Sequence, residues 1–418
     1  DHRDLHSFPT RRSSDLNGGF LFAQLDFAKN IIADLSSEEF HGRGYVNDGD
    51  TRAADYIANL YEKLGAQKLG SSYFQDFTFG VNTFPDTVRI TVDGKDLITG
   101  VDYIVDPATP SINKSYELVY CPPSGWNTVP KLHVGRNDVC FVFDAGKTKD
   151  KDSLKLMASY MRQANTIAPV IRIQDTKLTW SVATELRDRA LIEVLRDRWD
   201  TTAKRIHLNI HASFKAKHTA RNVVGLIPGK NKKKFVVVTA HYDHLGRMGS
   251  STYFPGANDN AAGTAQLLNL MKFYSQNQPK YSIVFIAFAA EEAGLIGSKY
   301  FVGNPLIDLK KIRFLINLDI MGTGEEGITV VNATKHKKEF GLLQKINDDK
   351  KYLVQVKARG EAANSDHYWF TQMGVPAFFM YTMGGSKAYH DVNDKIENLS
   401  FSEFEDIASL LRDFIQRL

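Results

Sequence analysis

The sequence predicts an α/β fold in which a mixed, mostly parallel central sheet is flanked by helices and interrupted by a smaller inserted α/β domain. Three observations carry this expectation. From about His218 onward, short apolar strands alternate with amphipathic helical stretches, the pattern of a sheet covered on both faces. Between about Phe84 and Phe214 the texture changes to strand-like and helical runs with no cluster of metal-ligand side chains. The chain has 418 residues, 43% of them hydrophobic, whereas single cores stop growing at roughly 250–300 residues. Residues 17–84 are therefore assigned to the N-terminal part of one domain, 85–215 to the insert and 216–418 to the remainder of the first domain.

Residues 1–16 are set aside. HSFPTRRSSDL, residues 6–16, is the translation of a common sequencing-adapter string, so this segment is expected to be foreign to the fold and to stand where a native start would be. In 17–84, Asp50 and Thr51 are placed to cap a helix whose Tyr56, Ile57, Leu60 and Leu64 share one face and which Gly65 stops. SYFQDFTFG, residues 72–80, then alternates as a half-buried strand does. The insert is expected to hold strands at 139–143 and 169–173 and helices at 152–164 and 183–196. The last part should supply strands at 222–226, 235–239, 282–288, 314–317, 328–331 and 377–381. A Ser400…Glu403 capping box is expected to open a final helix that buries Phe404, Ile407, Leu411, Phe414 and Leu418.

Bulk properties exclude several functions. The net charge of +4 is small, and Lys230 with Lys232, Lys233 and Lys234 beside Gly229 reads as a solvated turn, so no nucleic-acid partner is expected. The longest uncharged apolar stretch, residues 282–290, is well short of the roughly 18 residues that span a bilayer. Cys121 and Cys140 are too few for a disulfide framework and lack the spacing of a cysteine zinc site. They form either one disulfide or two buried thiols.

Chemistry gathers at the ends of the last domain's strands, where open α/β sheets build their sites. The strand from Phe235 delivers His241, with Asp243 two residues on and able to accept its other ring N–H. Asp259 lies in the glycine-bounded loop GANDNAAG, before a helix that should bury Leu267, Leu268 and Met271; taken alone it reads as a helix cap. An aspartate also has two oxygens and can bridge two cations. The strand from Ser282 ends in Glu291-Glu292, a pair that is costly to bury without positive charge nearby. In extended backbone the two would point opposite ways, Glu292 as a ligand and Glu291 as a general base. Asp319, in NLDIMG, and His390, in YHDVND, complete the set, with Asp394 four residues after His390. Each is weak alone. Two histidines and three carboxylates together suit a pair of zinc-like divalent ions.

The segments AHYDHLG, GANDNAAG, AEEAGLIGS, NLDIMG and YHDVND, in this order, resemble the five ligand-bearing segments of the co-catalytic di-zinc aminopeptidases of the aminopeptidase Y and bacterial leucyl-aminopeptidase type; SDHYWFTQMGVPAF, residues 365–378, is similar to the family segment before the last strand. The resemblance implies a zinc aminopeptidase-like fold with a protease-associated-like insert, and two zinc ions per chain, with other divalent ions as substitutes. It implies that His241 and Asp319 are terminal ligands of different ions, that Asp259 bridges them, and that Glu292 and His390 complete the two sites. Glu291 would then take the proton of a bridging water and pass it to the leaving amine, and Tyr389 would hydrogen-bond the tetrahedral oxyanion. Peptides or small proteins are the implied substrates, and a periplasmic, outer-surface or secreted protein the implied setting. The same fold supports carboxypeptidases, single-zinc glutaminyl cyclases and receptor-like ectodomains with decayed sites; the complete set of five ligands plus Glu291 favours hydrolysis.

Overall fold

The computed structural model describes residues 18–148 and 150–418, so the adapter-like residues 1–16 lie outside the described residues. Two eight-stranded sheets organise the chain. The first contains β1 (Phe74–Thr83), β2 (Ser213–Ile227), β3 (Asn231–His241), β4 (Tyr281–Phe288), β5 (Ile312–Leu318), β6 (Ile328–Val331), β7 (Val356–Ala358) and β8 (Ala377–Thr382). Their order across the sheet is β1-β2-β4-β3-β5-β8-β6-β7. The central four, β4, β3, β5 and β8, run parallel, and β2 and β6 flank them antiparallel.

This centre is parallel because its strands are apolar throughout and buried on both faces. Along β3, Val236 and Val238 enter one core while Val237 enters the other, as successive strand side chains must. Five helices cover the first face: α1 (Gly18–Leu35), α2 (Gly49–Lys63), α4 (Gly263–Gln276), α6 (Lys337–Lys350) and α8 (Phe404–Arg417). Two short ones, α5 (Ile296–Gly303) and α7 (His367–Gln372), cover the second through Phe301 and Phe370. The remaining helix, α3 (Lys151–Asn165), packs on the other sheet through Met157 and Met161.

The second sheet is built wholly from residues 88–210, between β1 and β2. Its middle is parallel, from Ile112–Cys121 through Val139–Asp144 and Val170–Gln174 to Leu191–Leu195. It is not isolated. Leu245, Met248 and Phe254, from the stretch after β3, join its core, where Phe254 stacks on Trp180 at 4.6 Å.

Several local expectations are corrected. Residues 183–196 do not form a helix; Leu191–Leu195 is a strand, because Ile192 and Val194 alternate inward and the edge of Val170–Gln174 supplies the hydrogen bonds. Along α2 and its C-cap the expected Tyr56, Leu60 and Leu64 pack half-buried against the core that Ile57 enters, and Ala53, Ala54, Ala58 and Tyr61 extend the buried face beyond them. Asp50 caps nothing: it is buried and accepts a 2.7 Å bond at His218 Nε2. The Ser400…Glu403 box is not made, since α8 begins at Phe404 with no side-chain cap, although it buries the expected face. Lys232 to Lys234 open β3 rather than a turn, remaining exposed. Cys121 and Cys140 are buried free thiols. No helix among the described residues is long and apolar enough to cross a membrane.

Candidate metal centre

The parallel strands end at one place. β3 finishes on His241, β5 is followed at once by Asp319, and β4 by the turn carrying Glu291 and Glu292. Asp259 enters from the loop before α4, and His390 from the loop after β8. Asp259 stands between two groups of donors. Its Oδ1 lies 3.3 Å from His241 Nε2, which lies 3.4 Å from Asp319 Oδ1. Its Oδ2 lies 3.1 Å from His390 Nε2, which lies 3.2 Å from Glu292 Oε2.

This grouping departs from one expectation: His241 and Asp319 fall on the same side of Asp259 and not on opposite sides of it. β3 and β5 are adjacent strands, so their ends deliver neighbouring side chains. A second correction concerns Glu291 and Glu292. Their backbone is a turn, not extended, and follows Ala290 at φ 57°. The separation of the two side chains comes from that turn. Asp243 pins it, accepting from both backbone N–H groups at 3.2 Å and from the Tyr45 hydroxyl at 2.6 Å. Asp243 therefore serves His241 only through its backbone oxygen, 3.2 Å from Nδ1; its carboxylate is 3.8 Å away.

The donors are held by a continuous set of buried hydrogen bonds. Asp394 accepts from the backbone N–H groups of Asn258 and Asp259, both at 2.9 Å. Asn260 stitches the same loop to the end of β5, donating to the Leu318 carbonyl at 3.0 Å and accepting from Ile320 N–H at 3.1 Å. The Ser365 hydroxyl donates to Asp319 Oδ2 at 2.9 Å, which leaves Oδ1 buried and without a hydrogen-bond partner. Arg43 is fully buried and donates at 2.7 Å to the carbonyls of Leu35, Tyr242, Pro255 and Gly256. Burial pulls its guanidinium down to about 10, against the Asp394 and Asp259 carboxylates. Gly256, at φ 57°, is required here, because a Cβ would overlap the Asp259 carbonyl, the His244 ring and the Arg43 guanidinium.

His390 is positioned from the second sheet. Its Nδ1 lies 2.9 Å from the Trp180 carbonyl and its own carbonyl accepts from Trp180 N–H at 2.9 Å. His244 is buried with Nδ1 2.7 Å from Glu292 Oε1, on the oxygen His390 does not face. Ala290, Ile320 and His390 all have positive φ beside the donors. Such backbone costs of order 1–3 kcal/mol each and persists where function demands it.

Electrostatics call for a cation. Four carboxylates, Asp259, Glu291, Glu292 and Asp319, meet around two imidazoles. Burial opposes charging His390, but Glu292 and Asp259 push it up to about 11. Burial likewise opposes charge on Glu292, and His390 and the His244 bond hold it down at about 2. Glu291 is raised well above its ordinary range by burial and by Glu292, with His241 opposing. The donor set, nitrogen and hard oxygen converging with an orphaned buried oxygen on Asp319, fits two divalent ions that share Asp259. Around it opens a cavity of about 260 Å³ lined also by Ile320, Arg359, Asn364, Phe379, Tyr381 and Tyr389.

The sequence model of Peptidase family M28 matches residues 222–415, which include every one of these donors. Residues 222–415 thus resemble a peptidase family M28 domain. Aminopeptidase YwaD of Bacillus subtilis is 32% identical over 209 residues, 46% of this chain and 43% of that protein. An aminopeptidase of Pseudomonas aeruginosa is 27% identical over 202 residues and is spanned for 33% of its length, so the chain covers under half of each. Among solved structures, a zinc aminopeptidase from Bacillus subtilis superposes with a TM-score of 0.68 at 20% identity over 94% of both chains. An aminopeptidase from Aneurinibacillus superposes at 0.63 with 21% identity, over 93% of this chain and 92% of that one. The two sheets and their helices together thus have the fold of these structures.

Several contributors were not singled out from sequence: Arg43, Tyr45, Trp180 and Ser365. Ser365 lies in the family-like SDHYWF segment, and Arg43 and Tyr45 in HGRGYVNDG, which is similar to the N-terminal segment of the same family. His244 was legible as a second imidazole in HYDH, but not its contact with Glu292.

Proposed function

We propose that this M28-like domain is a zinc-dependent aminopeptidase that hydrolyses the N-terminal peptide bond of peptides. The observation that carries the reading is Asp259, whose two oxygens each face a separate histidine–carboxylate pair. On this reading His241, Asp319 and Asp259 would hold one ion, and His390, Glu292 and Asp259 a second. When bound, the ions supply Lewis acidity toward the scissile carbonyl and toward water.

The chain's own residues do the rest. Glu291 lines the cavity beside His241 with its carboxyl raised by burial, so it accepts a proton at one step and returns it to the leaving amine. Asp243 fixes the backbone of Glu291 and keeps the base from rotating into the ligand position of Glu292. The Tyr389 ring stacks on His390 at 4.0 Å and 46% of it is exposed, so its hydroxyl is free to donate to a developing oxyanion. The second sheet is read as an inserted protease-associated-like domain whose Trp180 sets the ring of His390.

The test is chromophore release from aminoacyl anilides, free and N-acetylated, by metal-stripped protein with and without zinc. The expected result is zinc-restored cleavage of free-amine substrates only, lost in Glu291→Gln. Cleavage of the blocked substrates, or none with two zinc ions bound, overturns it.

A further inference from the structure

The cavity that holds the proposed metal donors also holds one side chain the hydrolytic chemistry does not use. Arg359 follows β7, its backbone N–H bonded to Val330 O at 2.9 Å, and it lines the cavity as an exposed residue. Its Nη1 donates to the Tyr381 hydroxyl at 3.1 Å and its Cζ lies 6.0 Å from the Tyr381 ring centre. It makes no ion pair among the described residues, unlike Lys335 nearby, which is paired with Glu361. A guanidinium is a fork of five donors, and one bond to a tyrosine leaves most of that fork open.

Charge balance makes the placement informative. Two divalent ions would offset Asp259, Glu291, Glu292 and Asp319. Arg359 is then the uncompensated charge of the cavity, and the ligand it favours is an anion. The volume of about 260 Å³ lies just below the roughly 300 Å³ at which small-molecule pockets begin, which admits one residue or a dipeptide. Ile320, Phe379 and Tyr381 give the same cavity an apolar wall, along which the methylenes of a short acidic side chain would lie.

Resting on the aminopeptidase reading, we infer that Arg359 is a carboxylate receptor within the substrate cavity, and that the preferred substrates present a carboxylate about one residue from the scissile bond. That carboxylate is either the side chain of an N-terminal aspartate or glutamate or the free C-terminus of a dipeptide.

Two matched pairs separate the sources. In zinc-loaded full-length protein, kcat/KM is compared for glutamyl and glutaminyl anilide, and for leucyl-glycine and leucyl-glycinamide. At least one acid member should exceed its amide by about tenfold, the scale of a partly exposed charge-assisted pair. Arg359→Gln should collapse that ratio to near one, and Arg359→Lys should keep part of it, since a lysine retains the charge without the fork. Affinity of the zinc-loaded Glu291→Gln protein for the same pairs, read by calorimetry, should show the same ratio and the same loss in the double variant. Ratios near one in both arms, or a preference that survives Arg359→Gln, overturn the assignment while leaving the peptidase reading intact. If no amide is cleaved, the peptidase reading fails and the calorimetric ratio decides Arg359 alone.

Discussion

His241 and His390 approach the same carboxylate from opposite sides, at 3.3 and 3.1 Å, yet different parts of the molecule hold them there. His241 ends β3, whose Val236, Val237 and Val238 are completely buried, and its partner Asp319 follows the neighbouring β5. Ser365 then fixes Asp319, and Asn317 donates to Ser365 at 2.7 Å. Every part of that half belongs to one sheet and the helices packed on it. His390 sits in a loop at positive φ, and its imidazole is oriented by the Trp180 carbonyl of the second sheet. The first half inherits the rigidity of a core, whereas the second depends on how the two sheets pack.

That contrast can be broken at its shared point. Asp259→Ala removes an oxygen from each half, and the expected outcome is loss of both bound ions with a fall in turnover of at least about 10⁴-fold, the upper end for a lost general base. Elemental analysis beside the anilide assay reads both. Glu291→Gln is the next largest: turnover should drop by roughly 10²–10⁴-fold while both ions stay bound, because the side chain faces the cavity and not the donor pairs.

The sharper tests act on one half each. Ser365→Ala strips the hydrogen bond from Asp319 Oδ2 and should weaken one of the two ions by roughly 10–100-fold, leaving the other unchanged in a competitive chelator titration. Trp180→Ala loosens the packing against Phe254 that sets the Trp180 carbonyl, and should weaken the other ion by a similar or smaller factor. Tyr389→Phe is the smallest effect, about tenfold in kcat with both ions retained, below the roughly 10²-fold of a buried oxyanion donor because the tyrosine is half exposed.

The same contrast explains what the sequence made legible. Buried parallel strands are continuous apolar runs, so 282–288 and 328–331 could be placed closely, and a histidine or acid just past such a run announces itself. His241, Glu292 and Asp319 were readable for that reason, and Asp259 and His390, which come from loops, only in company with them. Which donors share a side was not, because that depends on strand order, and β3 pairs with β5 although 70 residues intervene in sequence between His241 and Ile312. Nor was the role of the second sheet, since a backbone carbonyl at Trp180 leaves no pattern in the residue types. The role of Arg43 was not legible for a related reason: nothing in the residue types of HGRG shows that four carbonyls surround its guanidinium. Residues 183–196 misled because their apolar spacing suits a helix, while a neighbouring strand edge decided the outcome.

The central claim is a pair of sites that share Asp259 and divide the two histidines between them. Zinc bound per chain, measured at equilibrium for the wild type, His241→Ala and His390→Ala, tests it most directly. The account predicts two equivalents for the wild type and one tight equivalent for each variant. A single equivalent in the wild type, or two tight equivalents retained in either variant, would contradict it.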